Sequence, residues 1–202
     1  MHIYLATTSR HKVVEVARIL AGTQVSLRPV ADLGGMPEVT ETGHTFLDNA
    51  RLKAKALVRR IPRSAWVLAD DSGLVVDALG GAPGVRSARY AGEQASDWEN
   101  NDKLLYALAG VSGPRRTARF CCYLVLLNHH GTEHTFSGTC EGRIAGALVG
   151  RSGFGYDPLF IPAGYQQTLA ELGPAIKDYL SHRARALGAF KEQLAALESA
   201  GL

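Results

Sequence analysis

Ala65-Trp66-Val67-Leu68-Ala69-Asp70-Asp71-Ser72-Gly73-Leu74 is the stretch that decides how this chain folds. Its first five residues have the length and apolar character of a buried strand. The run then breaks into two carboxylates, a hydroxyl and a glycine, which places the acidic pair where a strand leaves the core. In open α/β sheets ligands bind outside the carboxyl ends of the strands. Adjacent carboxylates repel, and a divalent cation offsets the repulsion. Mg²⁺ favours one or two carboxylates together with substrate phosphate oxygens. The same residues also suit a helix N-cap, with Asp71 or Ser72 capping the next segment.

Composition narrows the classes. The chain has 202 residues, 46% of them hydrophobic and 20% charged, which suits a globular protein of one domain or two small lobes. No apolar run is long enough to span a bilayer, and Met1-His2-Ile3-Tyr4-Leu5 reads as a first strand rather than a signal peptide. The three cysteines, Cys121, Cys122 and Cys140, include no Cys-x-x-Cys pair. They read as reduced strand-packing thiols of a cytoplasmic protein. A net charge of +3, from 22 basic and 19 acidic residues without a basic run, gives no sign of a nucleic-acid polymer as partner. A small anionic ligand fits that balance.

Working outward towards the N-terminus, a strand over residues 2–6 is followed by the polar turn Thr7-Thr8-Ser9-Arg10-His11-Lys12. Val13, Val14, Val16, Ala17, Ile19 and Leu20 then mark an amphipathic helix ended by Gly22. A turn between a strand's end and a helix's start favours anions, although the Gly-x-x-x-x-Gly-Lys-Ser/Thr phosphate loop is absent. Simple capping by Thr8 or Ser9 is the other option. Residues 24–30 suggest a second strand. Thr45 and Asp48 resemble a capping box, and Phe46, Ala50, Ala54 and Val58 share one face of the helix it opens. Asn49 and Lys53 share another. Glu41 lies just upstream in a Gly-containing turn, within reach of a metal held by Asp71, or else as a solvated charge.

Towards the C-terminus, Leu74–Leu79 is either a helix or a strand. Ser96–Leu108 reads as a helix, and residues 118–127 and 133–141 as paired strands around a solvated His129-His130-Gly131 turn. Gly153-Phe154-Gly155-Tyr156-Asp157-Pro158 combines glycines, two aromatics and a carboxylate. It suits a loop that stacks on a base or a tight turn with two core aromatics. Lys177, His182 and Arg183 lie near the start of a last helix, with an apolar stripe of Leu187, Phe190, Leu194 and Leu197. That helix begins after Ser181 or nearer Pro174. The order suggests a mixed α/β protein of two lobes with a boundary near Gly110. The acidic turn, the Gly-aromatic loop and the basic C-terminal group would gather in a cleft between them.

Together these residues resemble the non-canonical purine nucleoside triphosphate pyrophosphatases, the inosine/xanthosine triphosphatase family. The resemblance is carried by Glu41-Thr42-Gly43, Thr45-Phe46, Asn49-Ala50 and Lys53-Ala54, and by Asp70-Asp71-Ser72-Gly73-Leu74. Gly81-Ala82-Pro83-Gly84-Val85, Ser87-Ala88-Arg89-Tyr90, Gly153–Pro158 and Ser181-His182-Arg183 complete it. It covers nearly the whole chain. It implies one elongated α/β domain over residues 1–202, with two lobes around a central substrate cleft, usually as a homodimer. It implies removal of pyrophosphate from inosine, deoxyinosine and xanthosine triphosphates. Asp71 would be general base and metal carboxylate, with Glu41 the second Mg²⁺ ligand. Ser72 would touch substrate. Thr7, Thr8, Ser9, Arg10, His11 and Lys12, with Lys53 and Lys177, would hold phosphates. Phe154, Gly155, Tyr156, Asp157, His182 and Arg183 would recognise the base.

These residue types suit that chemistry. Magnesium and lysines offset phosphate charge in the transition state, and a carboxylate deprotonates the attacking water. An imidazole or guanidinium N–H facing O6 favours a 6-oxo over a 6-amino purine. Guanine, also 6-oxo, must be excluded around position 2. Two departures from the family bear on the phosphate site: Thr8 and Ser9 stand where Gly and Asn are usual, and Ile176 where Glu is common before the lysine. Two rival functions are a nucleotide pyrophosphatase with another base preference and a nucleotide-binding regulator without catalysis.

Overall fold

Trp66–Val76 forms one strand, β3, which runs through Asp70-Asp71-Ser72-Gly73 without a break. The strand therefore does not end at Ala69, and the acidic pair lies inside it. Leu74 and Val76 continue the buried pattern beyond the polar residues, and Asp77–Leu79 makes a short 3-10 turn after it. Side chains alternate between the faces of a strand, so Asp70 and Asp71 point to opposite sides. Each hydrogen-bonds to cations of its own, Lys12 and Arg183 for Asp70 and Lys53 for Asp71, and the charge of Lys12 also acts on Asp71.

The structure, a computed structural model, describes residues 1–199. Its other strands are β1 (His2–Ala6), β2 (Ser26–Arg28), β4 (Thr117–Asn128), β5 (Glu133–Ile144) and β6 (Phe160–Pro162). Its helices are α1 (Arg10–Ile19), α2 (Phe46–Val58), α3 (Asp97–Ala107), α4 (Leu169–Leu180) and α5 (His182–Ser199). The strands order as β2-β1-β3-β4-β5-β6 in one sheet. β1 is parallel to β2 and to β3, with Leu5 opposite Leu68, whereas β6 is antiparallel to β5. The sheet is mixed, as the alternation of strand and helix suggests. Among the described residues no helix is long and apolar enough to cross a membrane.

The chain forms two compact units, and no single boundary near Gly110 separates them. One unit holds Met1–Asp71, Cys122–Gly138 and the chain from Arg183, and the other Ser72–Cys121 and Thr139–His182. β3, β4 and β5 each contribute residues to both units, so the chain crosses between them four times rather than once.

In the first unit alternation sorts the core. Leu68 packs with Ile3 and Leu5 of β1, Val16 of α1 and Leu187 and Phe190 of α5. Val67 and Ala69 pack with Tyr4 and Ala6 of β1 and with Ala50, Ala54 and Leu57 of α2. Thr45 and Asp48 form the expected capping box: Asp48 N–H donates to Thr45 Oγ1 at 3.1 Å and Thr45 N–H to Asp48 Oδ2 at 3.2 Å. Leu194 belongs to the α5 stripe, while the side chain of Leu197 lies outside the described residues.

In the second unit Leu74, Val76, Leu104, Leu108, Phe120, Ile144 and Phe160 are core residues. Arg116 closes the C-terminal end of α3, its guanidinium donating to the carbonyls of Leu108, Val111 and Ala145, each at 3.0 Å. α4 breaks at Gly173, with φ 77° and ψ 177°, just before Pro174, whose ring tolerates the start of a helical segment but not its interior. Ser181 is extended. Lys177 thus sits on α4, and His182 and Arg183 open a separate helix.

Candidate functional site

On one face of β3, Asp70 is the centre of a buried charge cluster. Arg183 Nε donates to Asp70 Oδ2 at 2.8 Å. Lys12 Nζ donates to Asp70 Oδ1, and Arg183 Nη1 to Glu15 Oε2. The Cys122 thiol lies 3.3 Å from Asp70 Oδ2. Asp70, Glu15 and Arg183 are all buried. Burial opposes ionisation of Asp70, but Arg183 and Lys12 outweigh it and hold the carboxyl well below its usual range. Burial, reinforced by Asp70, pushes the Cys122 thiol well up, which leaves it protonated and inert.

This cluster ties the Thr7–Lys12 turn to the strand. Ser9 N–H donates to Thr7 Oγ1 at 3.1 Å, and Lys12 N–H to Ser9 Oγ at 3.4 Å, which caps α1. Thr8, Arg10 and His11 are exposed beside it. Among the described residues only glycines have positive φ, so the turn accommodates Thr8 where the family usually has glycine.

On the opposite face, Asp71 Oδ1 accepts Lys53 Nζ at 2.6 Å, and the same ammonium is 3.3 Å from Glu41 Oε1. One turn back along α2, Asn49 Oδ1 accepts the N–H of Gly43 at 2.8 Å and so fixes the turn that carries Glu41. A Cβ at Gly43 would lie 2.6 Å from that oxygen, so only glycine permits the approach. Asp71 is buried, and among the described residues its Oδ2 has no hydrogen-bond partner. Burial pushes the Asp71 carboxyl up, Lys53 and Lys12 pull it partly back, and Glu41 adds to the rise. Two carboxylates flanking one lysine, one with an unmatched oxygen among the described residues, supply oxygen donors of the kind a hard divalent cation takes. Among the described residues no group of three or more His, Cys, Asp or Glu stands together as a metal cage. Two carboxylates alone would leave the remaining positions of such a cation to water and phosphate oxygens.

In the second unit, Asp157 organises the Gly153–Pro158 loop. Its Oδ2 accepts Phe154 N–H at 2.9 Å and Lys177 Nζ at 2.5 Å. A Cβ at Gly153 would sit 2.1 Å from that oxygen, at a φ of +83°, which explains the glycine. Lys177 Nζ also stands 4.3 Å from the centroid of the Phe154 ring, a cation–π distance. Tyr156 packs in the core and donates its hydroxyl to the Ser87 carbonyl at 2.9 Å. Phe154 is the aromatic that keeps partial exposure. His182 is buried and stacked on Phe120, centroids 4.7 Å apart at 12°. Ser72 is half-buried in β3 next to Asp71, and Ile176 is exposed.

The structure thus brings Lys12, Asp70 and Arg183 together on one face and Glu41, Lys53 and Asp71 on the other. It brings Phe154, Asp157 and Lys177 together in the second unit. Arg183 and His182, adjacent in sequence, engage different partners, Asp70 and Glu15 for one and Phe120 for the other. Sequence reasoning missed Glu15 and Cys122. Glu15 precedes the inward Val16 in α1, and a carboxylate at the edge of an apolar stripe was the available signal.

The sequence profile of the Ham1 family matches residues 3–193. The chain is 48% identical over 192 residues to a dITP/XTP pyrophosphatase of Opitutus terrae, covering 92% of this chain and 95% of that protein. It is 49% identical over 191 residues to a dITP/XTP pyrophosphatase of Geobacillus kaustophilus, covering 95% and 93%. The fold is similar to that of a HAM1 protein from Coxiella burnetii, with a TM-score of 0.87 and 37% identity over 97% of this chain and 99% of that one.

Proposed function

The chain belongs to the Ham1 family, and we propose that it hydrolyses non-canonical purine nucleoside triphosphates to the monophosphate and pyrophosphate. Deoxyinosine, inosine and xanthosine triphosphates are the substrates. The observation that carries this is Asp71: buried, with one oxygen on Lys53, the other unpartnered among the described residues, and its proton affinity raised. A carboxylate so placed is a stronger base than an exposed one. It takes a proton from water as the oxygen attacks the α-phosphorus. The bond from that phosphorus to the bridging oxygen of the β-phosphate breaks, and pyrophosphate leaves. Lys53 and the Thr7–Lys12 turn offset the phosphate charge.

Glu41 and Asp71 would hold Mg²⁺, which when bound polarises phosphate oxygens. Arg183, committed to Asp70 and Glu15, keeps Lys12 and its turn in place. The base falls to the second unit, where the Phe154 ring offers a stacking face and Lys177 and His182 carry N–H donors. A 6-oxo group satisfies such a donor, and a 6-amino group does not. The family resemblance supports a homodimer, and the reduced thiols support a cytoplasmic setting.

Pyrophosphate release with Mg²⁺ from inosine, xanthosine, guanosine and adenosine triphosphates, and from pyrimidine triphosphates, tests the assignment. The first two should turn over far faster than the rest. Equal rates across the panel, or a pyrimidine preference, would replace it with the rival base specificity, and no release at all with a regulator.

A further inference from the structure

Two side chains of α3 close on the backbone of a single residue of the Gly153–Pro158 loop, Gly155. Gly155 N–H donates to Asp97 Oδ2 at 2.6 Å, and the Gly155 carbonyl accepts Asn101 Nδ2 at 2.8 Å. Asp97 and Asn101 are one helical turn apart, so they share a face. Asn101 Nδ2 also donates to the Asp97 carbonyl at 2.7 Å, which fixes which end of the amide faces Gly155. Asn101 is 3% exposed. The neighbouring Asn100 grips a second segment, accepting Ala91 N–H at 2.8 Å and donating to the Ala88 carbonyl at 3.2 Å. Ser87, whose carbonyl receives the Tyr156 hydroxyl, immediately precedes that segment.

Gly155 needs this grip. It is held at φ +61°, and a free glycine populates both signs of φ about equally. The ring of Phe154 and the carboxylate of Asp157 flank that residue. Discrimination by unsatisfied donors works only when the donors keep their positions as the wrong ligand arrives.

We propose that Asn101 and Asp97 are positioning residues for base selection, holding the Gly155 backbone in the form that presents Phe154 and Asp157 to the purine. The inference rests on the assignment of the base to the Phe154 loop, so Phe154→Ala accompanies the test. Steady-state rates are measured on inosine and adenosine triphosphates for Asn101→Ala, Asp97→Ala and Asp97→Asn. Loss of one clamp bond should raise KM for inosine triphosphate about twofold to tenfold and narrow the kcat/KM ratio between the two nucleotides. The kcat and the Mg²⁺ concentration for half-activation should stay within about twofold. Asp97→Asn keeps an oxygen acceptor and should recover most of the loss.

An unchanged ratio in both alanine variants, while Phe154→Ala moves it, overturns the role of α3. A ratio unmoved by Phe154→Ala as well overturns the assignment of the base to this loop, and the inference with it. A uniform fall in kcat at constant ratio also overturns it, because that marks lost folded enzyme. Asp97 is exposed, so its two variants decide the matter even where Asn101→Ala does not fold.

Discussion

Arg183 and Asp70 meet through Nε and Oδ2 at 2.8 Å, with side-chain exposures of 1% and 0%. Removing one partner of a buried pair strands the other charge, at a cost of about 3–5 kcal/mol. Arg183→Ala should therefore lower the unfolding free energy by that order in urea. Arg183→Lys should recover only part, since one ammonium cannot reproduce a fork reaching both Asp70 and Glu15. The preference for inosine over adenosine triphosphate should stay constant in the folded fraction. A changed preference with intact stability would instead put this guanidinium on the base.

The pH dependence of Asp70 has a definite sign. Its folded carboxyl titrates well below the ordinary value of about 3.9. Its contribution to stability is thus fully present above that value and fades as pH falls towards the folded one. In chelator, the stability gap between wild type and Asp70→Asn should be widest near neutrality and shrink below about pH 4. Urea titrations at a series of pH values check this, and a gap independent of pH would mean that the carboxylate's charge contributes nothing.

Gly43→Ala forces a Cβ to 2.6 Å from both Asn49 Oδ1 and Asp48 Cβ. Overpacking of this kind costs about 1–3 kcal/mol. The turn that carries Glu41 should shift, and Mn²⁺ binding to the substrate-free protein, followed by electron paramagnetic resonance, should weaken. Unaltered Mn²⁺ affinity would separate Glu41 from the metal.

Asp71→Asn should reduce turnover by at least about 10²-fold, the scale of a general-base contribution. Stability should change little, because burial already disfavours the Asp71 charge, the amide oxygen still accepts from Lys53, and Lys53 keeps Glu41 as its counter-charge. Chelation of the divalent metal should silence the wild type to the same extent. Activity surviving either treatment would exclude the proposed chemistry.

Local rules were legible where local forces decide. Thr45 caps its helix as the spacing suggested, Ser9 rather than Thr8 caps α1, and the hairpin follows the expected strands around His129-His130. The length of β3 was not legible. Asp, Ser and Gly disfavour strands, and the charges that permit them there arrive from residues 58 and 113 positions away. β6 is too short, at three residues, to show a period. The chemical residue types of the site were visible, but not their partition. Nothing local distinguishes Phe154 from Tyr156, and only packing sends the second into the core. Adjacency likewise gave no hint that His182 and Arg183 would part.

Asp70 and Asp71 are one peptide bond apart, yet alternation gives one an anchored charge and the other a raised proton affinity. Their identities are interchangeable as residues, so the difference belongs to position alone. A single-residue deletion between Trp66 and Ala69 would turn the strand over and slide it by one, setting Asp71 opposite Arg183 and Ser72 in the place that faces Lys53. Such a variant would keep every catalytic residue type and still lose its chemistry. A deletion of two would restore the faces but carry both carboxylates past their cations, so the strand should tolerate no change of length ahead of Asp70.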